Sequence, residues 1–212
     1  MNLHELQHEF FARVNACNSV ELFNSGVIDL GISYTPVRAD FNPLLHLFAR
    51  ACPVPLLWVD LANVGDTFKQ LMLPTNPPFY HAIKKEIFML SPTYFKTDAH
   101  CKHALLHETA HHIHFKEFGF NLSTRYGEAK GRMTNYFPAC AYNIAEMVAE
   151  TAATLAATAM RILTPNEWQG CAEYVSMYRV GQGIPTQLPT TEAIFIIPIA
   201  EKLISLYKDT NV

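Results

Sequence analysis

The chain has 212 residues, half of them hydrophobic, with a formal net charge of −3. That length can bury a sizeable single core, and the slightly acidic balance argues against a general affinity for nucleic acid or anionic membrane. The five cysteines (Cys17, Cys52, Cys101, Cys140, Cys171) are odd in number, widely spaced and without a Cys-x-x-Cys pair. A disulfide framework is therefore not expected, and a reducing compartment fits better.

The opening MNLHELQHEFF carries acids early and no apolar h-region, so no secretory signal is visible. The most apolar runs, AEMVAETAATLAATAM and AIFIIPIAEKLISLY, are interrupted by glutamates or by Pro198 and do not read as membrane spans. A cytoplasmic protein with no membrane partner is the expectation.

In chain order, Leu3, Leu6, Phe10, Phe11 and Val14 recur at helical spacing and predict a helix over 3–24. Residues 27–60 are richer in proline and β-branched residues, and PLLWVDL (55–61) reads as a buried strand. LPTNPPF (73–79) has the composition of a loop. KEIFMLSP reads as a short strand ended by Ser91-Pro92. A helix is predicted from Asp98 to about Phe118, with Gly119 as its stop. Residues 121–138, with Gly127, Gly131 and Pro138, read as a surface excursion. A second long helix is predicted over about 141–162, a third over 165–180 with Thr164 as N-cap and Pro165 at the first position, and a last over about 191–208. Strands followed by helices only make an α+β pattern, a small sheet packed on helices.

The segment KHALLHETAHHIHF (102–115) holds five of the ten histidines and a His-Glu-x-x-His motif, His107 to His111. Residues four apart share a helix face, so His107 and His111 can offer two imidazoles to one ion. Glu108 is then placed to reach an activated water rather than the metal. In a chain of this composition random placement yields such a motif about 3% of the time, and the local excess of histidine raises that figure. A catalytic metal also needs a third protein ligand and an open position. The helix NIAEMVAETAATLAA offers Glu146, and Glu150 one turn on, in a stretch otherwise too apolar to be exposed. A buried carboxylate needs a cation or hydrogen-bond partners. Glu146 is read as the metal ligand and Glu150 as acceptor from the far nitrogen of a ligand histidine. The roles could be swapped, or both acids could pair with Arg125, Arg132 or Arg161. The strand EIFML is read as an edge strand beside the cleft, able to pair with an extended peptide.

With these residues in place, PPFYHAIKKEIFMLSPTYFKTDAHCKHALLHETAHH resembles the metallopeptidase domain of ArdC-class antirestriction proteins and related zincin-like peptidases of phage and mobile elements. Tyr80, IFMLSP, Phe95 and Leu105-Leu106-His107-Glu108 stand in the family's order. So do Arg125, YNIAEMVAETAA with Tyr142, Glu146 and Glu150, and the closing EYVSMY and IAEKLISLY. The resemblance covers roughly 73–208. Residues 1–72 do not resemble the DNA-binding domain those proteins carry in front, and His112-Ile113-His114-Phe115 replaces the family's Trp-Thr-Gly-His.

The resemblance implies a gluzincin: one metallopeptidase domain over 1–212, with a divergent portion at 1–72. Zinc would be held by His107, His111 and Glu146, with Glu108 as general base and Glu150 behind a ligand histidine. Tyr142 or Tyr136 would stabilise the oxyanion, the family match favouring Tyr142. His112 and His114 are expected at the surface and His103 in a structural role, while Tyr174, Met177 and Tyr178 read as core. The expected reaction is hydrolysis of a protein or peptide substrate. The alternative is a non-catalytic, zinc-stabilised protein that binds a partner or DNA.

Overall fold

The computed structural model describes residues 2–18, 28–62, 78–118, 136–180 and 190–210, with backbone only at 136–142, 180 and 190–192. In chain order these form α1 (Leu3–Ala16), α2 (Leu45–Ala49), β1 (Leu56–Val59), β2 (Phe79–His81), β3 (Glu86–Leu90), α3 (Asp98–Phe118), α4 (Tyr136–Ala159), α5 (Gln169–Val180) and α6 (Thr190–Tyr207). The class is α+β: six helices with a three-stranded mixed sheet. Among the described residues no helix is long and apolar enough to cross a membrane.

The sheet has the order β1-β3-β2. β1 runs parallel to β3, with Leu56 opposite Ile87 and Val59 opposite Leu90, while β2 runs antiparallel, with Phe79 opposite Phe88 and His81 opposite Glu86. EIFML is therefore the central strand, not the edge. Ile87 to Leu90 are all buried, as a strand flanked on both sides by partners should be. The edge beside α3 is β2, whose first residue, Phe79, was expected in the loop at 73–79; positions 73–77 of that loop lie outside the described residues.

α1 begins with a capping box: the Asn2 side chain accepts from the Glu5 N–H, and Glu5 accepts in return from the Asn2 N–H. It ends at Ala16, earlier than the predicted 24, and 19–27 lie outside the described residues. Phe10 packs edge-on against Trp168 at 5.6 Å, and the Trp168 indole N–H donates to Thr158 Oγ1 at 2.7 Å. These contacts tie α1 to the end of α4 and the start of α5. α2 was not anticipated; its Phe48 ring packs on Tyr207 of α6 at 4.6 Å.

α4 is the central helix, in contact with α1, α3, α5 and α6. It starts at Tyr136 rather than near 141, so residues 136–138 of the expected excursion are helical. Pro138 fits there because the first turn needs no intrahelical N–H donor. Ala149, Ala152, Ala153, Ala156 and Ala157 are all fully buried. Small side chains let helix axes approach to the near end of the usual 8–10 Å range, which brings short carboxylates on α4 within reach of imidazoles on α3. α4 closes with Arg161 in the left-handed conformation, φ 60°. The expected helix at 165–180 divides into a single turn of 3₁₀ helix, Pro165–Glu167, capped by Thr164, and then α5.

Candidate metal centre

α3 is capped by Thr97, whose hydroxyl accepts the His100 N–H at 3.2 Å, and carries Asp98 in its first turn and Lys116 in its last. From His103 to His114 every residue of α3 is buried. The helix is enclosed by α4, α6, α2 and the sheet, so the polar face that its histidines suggest does not exist. His112 and His114, expected at the surface, are both buried. For His112 the Tyr80 hydroxyl, 3.0 Å from Nδ1, meets one ring nitrogen.

Three of the histidines face α4 in a regular seam. His103 Nε2 lies 3.2 Å from Thr154 Oγ1, His107 Nδ1 lies 2.7 Å from Glu150 Oε2, and His111 Nε2 lies 3.4 Å from Glu146 Oε1. Each step of four residues forward on α3 is a step of four back on α4, the signature of antiparallel helices meeting along one stripe each.

At one end of the seam three donors converge. His107 Nε2 is 3.0 Å from His111 Nε2 and 3.2 Å from Glu146 Oε2. Together with the 3.4 Å from His111 to Glu146, these spacings resemble corners of a tetrahedron whose centre makes bonds of 2.0–2.1 Å, about 3.3 Å apart. Proton placement agrees. The short contact to Glu150 places a proton on His107 Nδ1, so that with a metal bound Nε2 would be the ligand atom. His107, His111 and Glu146 can thus hold a metal ion, and their ligand atoms lie together within 4.8 Å.

The charges are set by burial against proximity. Burial alone would lower the His107 pKa, but hydrogen bonds to Glu146 and Glu150 carry it well above its ordinary value. Burial pushes Glu146 up, yet the two histidines hold it well below the usual carboxylate range. Glu108 is buried beside the cluster but is not part of it. Burial raises its pKa, the two histidines partly offset this, and the Tyr80 backbone N–H donates to its carboxylate. That amide belongs to β2, so the edge strand and the free carboxylate meet. The Tyr80 hydroxyl lies 3.0 Å from His112 Nδ1, and the rings pack edge-on at 5.3 Å.

The structure brings His107, Glu108, His111, Glu146 and Glu150 together. The side chains of Tyr136 and Tyr142 and all of Arg125 and Arg132 lie outside the described residues. Arg161 is exposed about three turns beyond Glu150, and the acids meet histidines instead. Sequence reasoning missed Tyr174. Read as core, it is half-buried, donates its hydroxyl to Glu146 Oε2 at 2.8 Å and stands edge-on to His107 at 6.0 Å.

No protein-family model, curated protein or solved structure matches the chain.

Proposed function

We propose that the chain is a zinc-dependent metallopeptidase of the gluzincin type, with a zincin-like arrangement of α3, α4 and the sheet. One observation carries this reading: the donors of His107, His111 and Glu146 stand at ligand spacing while Glu108, next in sequence to His107, remains outside the cluster. A purely structural site has no use for an additional buried acid beside its ligands. Two imidazoles and one carboxylate are the donor set of hydrolytic zinc, leaving an open position.

Zinc held by His107, His111 and Glu146 would supply a water acidic enough to ionise near neutral pH and would polarise the scissile carbonyl. Glu108 takes the proton of the attacking water and delivers it to the amide nitrogen as the carbon–nitrogen bond breaks. The burial that raises its pKa suits a group that must both accept and release a proton. Tyr174, turning its hydroxyl from Glu146 to the carbonyl oxygen, stabilises the negative charge that develops there. Glu150 keeps the His107 proton on Nδ1. The substrate is an extended segment of a protein lying along β2, whose Tyr80 amide already reaches Glu108.

The test pairs metal analysis with cleavage of unfolded protein substrates and peptides. Wild type is expected to carry zinc and cleave, and a chelator to abolish cleavage. Glu108→Gln is expected to keep the metal while kcat falls by about 10²–10⁴. If Glu108→Gln retains both metal and cleavage, the peptidase reading is wrong.

A further inference from the structure

The other end of the α3–α4 seam holds a second group of metal-ligating side chains, which the proposed chemistry does not use. His103 Nε2, a Glu150 carboxylate oxygen and Cys171 Sγ lie within 4.8 Å of one another, all three residues buried. They come from α3, α4 and α5. His103 Nε2 is 3.6 Å from Glu150 Oε1 and 3.8 Å from Cys171 Sγ. The first separation is too long for a good hydrogen bond, and the second is near the limit for sulfur. Around a tetrahedral ion, however, nitrogen and oxygen donors sit about 3.3 Å apart and nitrogen and sulfur about 3.6 Å. The spacing is that of ligands rather than of hydrogen-bond partners.

A second observation points the same way. Glu150 gives Oε2 to His107 at 2.7 Å, while its Oε1 is buried with no hydrogen-bond partner among the described residues. A buried carboxylate oxygen left in that state is costly. Oε1 faces the His103–Cys171 side. The Thr154 hydroxyl lies 3.2 Å from His103 Nε2.

We propose that the chain binds a second divalent metal ion, of the zinc class, at His103, Glu150 and Cys171. One thiolate, one imidazole and one carboxylate form a borderline-soft site that favours zinc over magnesium or calcium. Glu150 links it to the first site: one oxygen binds the second ion, the other orients His107.

The experiment is a cobalt and zinc titration of the metal-stripped, full-length chain. Only the second site contains sulfur, so a thiolate-to-cobalt charge-transfer band in the near ultraviolet reports it alone. Wild type is expected to bind two equivalents and show the band. Cys171→Ser is expected to bind one and lose the band, and Glu146→Gln to keep the band while losing the other equivalent. One equivalent without the band overturns the second site and leaves the peptidase reading standing. One equivalent with the band supports the second site and sinks the first. Two equivalents without the band place the extra ion elsewhere and overturn the proposal. The wild-type spectrum decides even if a variant does not fold.

Discussion

On one face of α3, toward α4, His107 meets Glu150 at 2.7 Å and Glu146 at 3.2 Å. On another, toward α6, His114 packs against the Phe195 ring at 5.6 Å. Both imidazoles are buried on the same helix, seven residues apart. Burial lowers the pKa of each, and at His114 nothing reverses it: the value falls to about 4. At His107 the two carboxylates outweigh burial and carry it well above the ordinary range. A histidine-rich helix therefore does not define a site by its own composition. The opposing helix decides which imidazoles meet carboxylates and which serve as neutral packing.

The largest effect is expected where a third helix touches the α4-facing side. Tyr174→Phe removes only a hydroxyl that donates to Glu146. Cleavage should fall by about 10²–10³ in kcat with KM and metal content nearly unchanged, as for loss of one oxyanion donor. A fall in bound metal with intact kcat per metal would instead make Tyr174 a support for Glu146. Next comes Glu150→Gln, which leaves the His107 ring without a charged acceptor at Nδ1. The affinity of the His107–His111–Glu146 site should drop roughly 10–100-fold, measured by competition with a chromophoric chelator. An unchanged affinity would mean that the carboxylate does not orient the ring.

This contrast explains what the sequence could and could not convey. The seam was legible because it repeats every four residues: His107, His111, Glu146 and Glu150 are fixed by helical period alone once both helices are recognised. α3 spans Asp98–Phe118, matching the helix expected from Asp98 to about Phe118, because the run between them is unbroken. β2 was not legible, since three residues carry no period and the prolines before them dominate the local signal. For the same reason EIFML looked like an edge, although its unbroken hydrophobicity suits a strand with neighbours on both sides. His112 and His114 were misplaced because polarity was taken for exposure. Their burial depends on β2 and α6, elements distant in sequence that no local pattern around α3 encodes.

The α6-facing histidine gives the smallest effect, and it tests the other half of the comparison by pH. In the unfolded chain His114 takes a proton near pH 6.5; folded, it does so only near 4. Between those values the unfolded state binds more protons, so acid favours unfolding. The stabilisation from a neutral His114 is fully present above about pH 6.5 and is lost as pH falls toward 4, a change on the order of 3 kcal/mol. His103 and His112, also lowered by burial, act with the same sign. His107 in the metal-free chain acts with the opposite sign, since its stabilisation is present at low pH and is lost as pH rises through its raised folded value. His114→Phe keeps a ring against Phe195 and removes the titrating group. Urea unfolding of the metal-free protein at pH 7, 5.5 and 4.5 should show the variant losing less stability on acidification than wild type, by up to about 3 kcal/mol. Parallel pH profiles would show that His114 is protonated in the folded state. The α6-facing side would then hold a charge, and the division between the two faces of α3 would fail.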